Sequence, residues 1–139
     1  MRVSPTARAL LLPLLLAVLN PFLWGALAEQ LPAAEAVFNS ARAVLFFWAG
    51  WRMVAIARKG AGAAAVSGAL LFFVDHVVLK GGAFLIHALA AREPERHQHF
   101  LAFAGVFFSY LMFVSLAAAL GALGAIAARI YARRAAVAA

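Results

Sequence analysis

Cysteine is absent from the 139-residue chain, and this absence excludes disulfides, thiolate metal ligands and a cysteine nucleophile. Charged residues are scarce at 12%, where soluble proteins carry about 25%, and hydrophobic residues make up 67%. The mean hydropathy of +0.96 agrees with that balance. A composition this poor in charge is typical of an integral membrane protein and argues against a soluble fold.

Enzyme signatures are also missing. The sequence contains no glycine-rich phosphate loop, nucleophile elbow, HExxH motif or paired-carboxylate signature. We therefore predict that the protein is not an enzyme and uses no cofactor.

Acidic residues are few, since 5 Asp and Glu oppose 12 Lys and Arg and the net charge is +7. A basic chain can bind nucleic acid, but these cations lie mainly at the ends of apolar segments, where they fix orientation and meet anionic lipid. No basic folded module is visible. We expect a lipid bilayer, and no nucleic acid, as a partner.

Four apolar segments are each long enough to cross a bilayer, because about 20 residues at ~1.5 Å rise cover the ~30 Å hydrocarbon core. They occupy residues 9–28, 37–57, 62–90 and 98–128. The sequence therefore predicts an all-α fold with a single domain over residues 1–139. We expect an integral membrane bundle of four transmembrane helices, in which helices 3 and 4 form a long antiparallel hairpin.

Positive charge is unevenly distributed among the connections. The N-terminus, the turn after the second segment and the C-terminal tail carry basic residues without acids: Arg2, Arg8, Arg58, Lys59, Arg129, Arg133 and Arg134. The other two connections carry acids beside their arginines: Glu29, Glu35, Glu93 and Glu95. The positive-inside rule places both termini in the cytoplasm, and we expect a multi-pass protein of the bacterial inner membrane.

The first segment has two interpretations. Residues 1–28 combine a basic start, an apolar run and a small-x-small pattern at 26–28, which fits a cleavable signal peptide. The charge-free run after Arg8 is equally sufficient for a first spanning helix. In that case Pro13 and Pro21 would bend the helix, and neighbouring groups would satisfy the carbonyls that the prolines free.

Ionisable residues interrupt the third segment, which contains Asp75, His76 and Lys80. An acid or a lysine at that depth costs about 2.5–3.5 kcal/mol, so these side chains should face protein or water. Counted at ~1.5 Å per residue, polar residues of all four segments fall at similar depths: Asn20, Arg42, Asp75, His76, Lys80 and Tyr110. Asp75 and Lys80 lie about 140° apart around a helix. We therefore expect Asp75 to pair with Arg42 or to hydrogen-bond to His76, Asn20 or Tyr110.

This polar level supports two hypotheses. Intramembrane ionisable groups mark transport paths and proton relays, which makes Asp75 and His76 candidates for proton or ion handling. Alternatively, the same residues form a structural clamp, in which a satisfied acid–base pair fixes helix register or docks the chain onto a larger subunit.

Small residues recur at a spacing of four in two segments. Ala64 and Gly68 have this spacing in the third segment, as do Ala117, Gly121 and Ala125 in the fourth. Such spacing lets helix backbones approach closely, so we predict that helices 3 and 4 cross there.

Histidines near the outer ends of helices 3 and 4 are weak candidates for a metal site. His87, Glu95 and His99 could converge, since residues 95 and 99 share a helical face. Arg92 and Arg96 lie nearby and would repel a cation. We therefore expect ordinary interfacial histidines.

Together these features predict a small polytopic membrane subunit that assembles with itself or with larger partners through its small-residue helix faces and polar midplane. The alternative is a proton- or cation-coupled transporter or channel that uses Asp75 and His76. The expected partners are the lipid bilayer and either further copies of this chain or a larger membrane complex.

Overall fold

The computed structural model describes residues 3–27, 34–76, 89–90 and 93–138, and within these ranges the regular structure is helical, without a strand. Four helices are described: α1 (Pro5–Leu27), α2 (Ala34–Ala55), α3 (Ala61–Phe72) and α4 (Glu93–Val137). The predicted all-α class is therefore confirmed. Residues 77–88 of the third predicted segment lie outside the described residues.

Local sequence explains where the helices begin and end. Pro5 opens α1, and the Ser4 hydroxyl accepts a hydrogen bond from a first-turn N–H at 3.2 Å. After α2, Arg58 adopts a left-handed φ of 52°, and the Lys59 N–H donates to the Met53 carbonyl at 3.0 Å. The chain reverses at this turn, so that α3 returns along α2.

The last helix extends beyond the fourth predicted span. It continues through the basic tail to Val137, because no glycine or proline follows Gly124 and the tail is rich in alanine and arginine. Its 45 residues measure about 67 Å at ~1.5 Å each, which is roughly twice the hydrocarbon thickness of a bilayer.

Two buried clusters show how the helices run. One joins the starts of α1 and α3 to late residues of α2 and α4: Ala9, Met53, Ala64 and Ala125. The other joins later residues of α1 and α3 to earlier residues of α2 and α4: Ala17, Phe46, Ala49, Leu71, Phe72 and Ala117. Consecutive helices therefore run in opposite directions, as in an up-down-up-down bundle.

The backbones of α3 and α4 touch. A methyl group at Gly121 would collide with the Ala64 carbonyl, and one at Gly68 would collide with the Ala117 carbonyl. Ala125 is buried in the same cluster as Ala64. The structure thus places all five predicted packing residues where α3 and α4 meet.

A second close contact, which no residue spacing in the sequence predicted, joins α2 to α4. A methyl group at Gly50 would collide with the Gly121 carbonyl, and one at Gly124 would collide with the Phe47 carbonyl. Gly121 therefore contacts α2 and α3 at once. The absence of side chains at these positions lets α4 lie in the groove between the two helices.

Side-chain size is inverted relative to a soluble protein. Among the described residues, alanine dominates the buried apolar set, and its larger members are Phe46, Met53, Leu71 and Phe72. Large aliphatic side chains face outward instead, and Leu11, for example, is 68% exposed. Soluble domains bury such residues.

Within the described residues, one helical stretch, Ser109–Val137, is long and apolar enough to cross a membrane. Two others, Pro5–Asn20 and Ala61–His76, are apolar but shorter. The sequence predicted four spanning helices. The described residues contain four helices, and one of these helices includes a stretch that is long and apolar enough to span a membrane.

Candidate functional site

Asp75 lies in a π-helical turn. Residues 73–76 continue α3 in this wider geometry. A π turn adds a residue to the helical repeat, which changes the direction of the side chains around it, and such turns are frequent at functional sites. Asp75 is only 1% exposed, so the turn delivers a carboxylate into the interior of the bundle.

Two nitrogen atoms converge on one oxygen of Asp75. Arg42 Nε lies 2.8 Å from Oδ2, and His76 Nδ1 lies 2.9 Å from the same atom. Neither contact has hydrogen-bond angles, and Oδ1 has no hydrogen-bond partner in the described part of the chain. The side chains of Arg42 and Asp75 are 11% and 2% exposed, so water screens their attraction little. This pair joins α2 to the end of α3.

Arg42 is positioned by its own helix. Its Nη1 donates to Asn39 Oδ1, one turn earlier on α2, at 3.1 Å. Its Nη2 is buried and has no hydrogen-bond partner among the described residues. Because buried donors in folded proteins are nearly always paired, the cluster retains unused hydrogen-bonding capacity.

Aromatic rings hold the imidazole of His76. Phe72 stacks on it with ring centroids 4.4 Å apart and an interplanar angle of 8°. Tyr110 of α4 meets it edge-on at 5.6 Å. Because Nδ1 faces the Asp75 carboxylate, the neutral ring is expected to carry its proton there and to present Nε2 as an acceptor.

An open cleft of about 470 Å³ lies beside this cluster, between α2, α3 and α4. Its polar lining consists of Asn39, Arg42, His76 and Tyr110. Phenyl rings and leucines form much of the remaining wall, among them Phe72, Phe113 and Leu116. The volume and the mixture of apolar wall with a few polar groups are those of a small-molecule site.

The structure brings together four of the six predicted polar residues: Arg42, Asp75, His76 and Tyr110. Asn20 is buried on α1, away from the cleft lining, and its Nδ2 has no hydrogen-bond partner in the described ranges. Lys80 lies outside the described residues. The predicted partners Arg42 and His76 are the ones that contact Asp75.

The side chains of the three weak metal candidates lie outside the described part of the structure. His87 lies outside the described residues, and Glu95 and His99 lie in the first part of α4, where side chains are not described. Within the described residues there is no group of three or more histidines and carboxylates that could hold a metal ion.

Two members of the site were missed in the sequence, although a signal was present. Phe72 precedes His76 by four residues, and Asn39 precedes Arg42 by three. Both spacings place side chains on one helical face. An aromatic or amide residue one turn before a polar residue is the sequence signal that marks both of them.

A further polar contact joins α1 to α2. Arg52 donates from Nε to the Ala9 carbonyl and from Nη2 to the Arg8 carbonyl, each at 2.8 Å. The Ala9 carbonyl lacks its usual donor because residue i+4 is Pro13, which has no N–H. The guanidinium also lies 5.0 Å from the ring centroid of Trp48. The expectation that a neighbouring group satisfies this carbonyl is confirmed.

Comparison with known proteins finds no match for this chain among family models, curated proteins or solved structures.

Proposed function

We propose that the chain is a multi-pass protein of the bacterial inner membrane, with four spans over residues 9–28, 37–57, 62–90 and 98–128 and both termini in the cytoplasm. It acts as a small membrane subunit that assembles with itself or with larger partners. The observation that carries the proposal is the inverted distribution of side chains, with small and charged residues inside and large apolar residues outside.

A bilayer is the solvent in which this distribution is favourable. In water, each leucine left exposed forgoes about 1.5–3 kcal/mol of burial energy, and both Leu11 and Leu15 of α1 are more than half exposed. In lipid these side chains meet acyl chains of the same polarity, and helices associate through close contact of small residues. The glycine and alanine contacts of α4 with α2 and α3 are of that kind.

The small-residue faces pack against one another within a single chain, where they join α4 to α2 and α3. They hold α4 against its neighbours, so a partner meets an assembled bundle and not a separate helix. The pair between Arg42 and Asp75 fixes α2 to α3 in the same bundle, which is the structural clamp expected of a buried ion pair.

The proposal retains residues 1–28 in the working protein. Ala9 and Ala17 are fully buried against the other helices. Arg52 uses two carbonyls of α1 as acceptors. Cleavage after residue 28 would remove both acceptors and uncover this face of the bundle.

The absence of cysteine makes the topology directly testable. In intact cells, an Ala36→Cys variant should react with a maleimide that cannot cross the inner membrane, whereas an Ala138→Cys variant should react only after permeabilisation. Both positions are exposed, so labelling reports location and not burial. Equal labelling of the two variants in intact cells would contradict the proposed orientation.

Assembly is tested by native mass spectrometry of the protein extracted gently from its own membrane. A chain mass of 14.7 kDa indicates that residues 1–28 are retained. Multiples of that mass, or complexes with larger chains, are the expected result. A monomer without partners across several mild detergents would refute the subunit function.

Proton or cation transport is the second candidate, and the position of Asp75 and His76 beside an open cleft favours it. In liposomes containing a pH-sensitive dye, the wild-type protein should then carry a flux that Asp75→Asn abolishes at unchanged protein abundance. Tyr131→Phe, a change on α4 outside the cleft lining, is the control and should leave the flux intact. Absence of flux in the wild type would refute transport. Reduced abundance of Asp75→Asn in the same experiment would support a structural role of Asp75 in the clamp with Arg42.

A further inference from the structure

We propose that the cleft between α2, α3 and α4 binds an uncharged, lipid-soluble ring compound that carries carbonyl or hydroxyl oxygens, which is the chemical class of the isoprenoid quinones. The inference rests on the proposed membrane location, because such a compound reaches the cleft from the bilayer. Three properties of the cleft select this class: its charge, its hydrogen-bonding groups and the shape of its apolar wall.

The charge of the cluster selects against ions. Asp75 already neutralises Arg42, with Oδ2 and Nε 2.8 Å apart. A carboxylate ligand would compete with Asp75 for the guanidinium, and a bound metal cation would compete with the guanidinium for Asp75. A neutral ligand leaves the buried pair intact.

The polar lining can hydrogen-bond to both forms of such a ring. Tyr110 and Arg42 are donors, and a carbonyl oxygen is an acceptor for either of them. The His76 imidazole, with Nδ1 against Asp75, has Nε2 as an acceptor for a ligand hydroxyl. The buried Nη2 of Arg42, which has no partner among the described residues, shows that the cluster has donor capacity left over.

The apolar wall fits a planar ring with a hydrocarbon tail. Phe72 and Phe113 line the cleft, and aromatic rings pack favourably against a flat conjugated ligand. Leu116 and Leu120 extend the lining along α4, and Leu116 is 56% exposed, so an apolar path leads from the cleft to the outer surface. The volume of about 470 Å³ accommodates the ring.

The test is equilibrium binding of decylubiquinone to the full chain in phosphatidylcholine nanodiscs, with empty nanodiscs as the lipid reference. Saturable binding above the reference is expected. Leu116→Trp fills the cleft and should weaken binding at least about tenfold, since a ligand excluded from a pocket loses nearly all its contacts. Leu123→Trp replaces a leucine of similar exposure on the same helix outside the lining, and it should bind as the wild type does.

A second pair of variants tests the polar contact. Tyr110→Phe keeps the ring that meets His76 and removes one donor, so we expect about fivefold weaker binding, equivalent to one hydrogen bond of ~1 kcal/mol. Tyr131→Phe, outside the lining, is the matched control. Oleate, an anionic amphiphile, should not displace the quinone.

Three results would overturn the inference: no binding above the lipid reference, equal binding by Leu116→Trp and Leu123→Trp, or preferential binding of oleate. Its failure is distinguishable from failure of the proposed function. Correct cysteine labelling without quinone binding would refute only the quinone-binding proposal. Failure of the chain to insert into a bilayer would refute both this proposal and the proposed function.

Discussion

Removing one partner of the Arg42–Asp75 pair should destabilise the protein far more than removing a surface charge. Exposed ion pairs contribute about 0–1 kcal/mol, but breaking a buried pair costs about 3–5 kcal/mol, since the remaining charge stays desolvated. The two side chains are 11% and 2% exposed, which places this pair in the second category. In Arg42→Met, the carboxylate keeps His76 as a neighbour, so we expect a loss near the lower limit, about 3 kcal/mol.

A double-mutant cycle separates the pair from its surroundings. Asp75→Asn keeps the shape of the side chain and should also cost about 3 kcal/mol, near the lower limit, because Arg42 retains its bond to Asn39. The double variant should be no less stable than Arg42→Met alone, which corresponds to a coupling energy of about 3 kcal/mol. The free energy of unfolding is measured by titration with sodium dodecyl sulfate in mixed micelles, followed by far-ultraviolet circular dichroism.

The control for this cycle is Arg133→Met on the exposed tail of α4, which should change the free energy of unfolding by less than about 0.5 kcal/mol. Two results would refute the reasoning. One is an Arg42→Met variant as stable as the control. The other is strict additivity of the two single changes, which would mean that the short contact contributes no energy.

Three further changes in the free energy of unfolding are expected, each measured in the same assay. Gly121→Ala should destabilise the protein by about 1–3 kcal/mol, because the new methyl group meets the Ala64 carbonyl. The control Gly62→Ala places its methyl group in open space and should be neutral or stabilising, so equal effects of the two changes would refute the close contact. Arg52→Met should cost about 1–3 kcal/mol, because it leaves the Ala9 carbonyl without a donor. Pro13→Ala restores an N–H to α1 and should reduce that cost, so an unchanged cost would show that Arg52 does not replace the donor that Pro13 lacks. Arg58→Gly should stabilise by up to about 1 kcal/mol, because glycine adopts the left-handed φ of 52° without strain, and a loss of stability would show that the arginine side chain outweighs the strain.

Several features of the fold could be predicted from particular residues. The length of the apolar segments predicted helices, and the four-residue spacing from Ala117 through Gly121 predicted the face on which α4 meets α3. The angle of about 140° between Asp75 and Lys80 around the helix favoured Arg42 as a partner of Asp75, and Arg42 contacts Asp75 in the structure. Each of these predictions depends on the regular geometry of a helix, which residue spacing within one segment specifies.

Other features depend on contacts between helices and could not be read from one segment. Gly50 has Phe46 four residues before it and Val54 four residues after it, so it is not part of a small-residue motif, yet it touches Gly121. The π turn at residues 73–76 also lacks a sequence signal. Such a turn changes which side chains share a face, and it contains His76, which lines the cleft.

The bond between Arg52 and the Ala9 carbonyl also bears on how the protein is made. The ribosome delivers α1 before α2, and until α2 arrives the carbonyl that Pro13 frees has no donor from another helix. In the proposed topology residue 9 begins the first span, so water at the membrane surface can bond to this carbonyl until Arg52 replaces it. We expect the bond to form when α2 docks against α1, and from then on it holds the first two helices together as a hairpin.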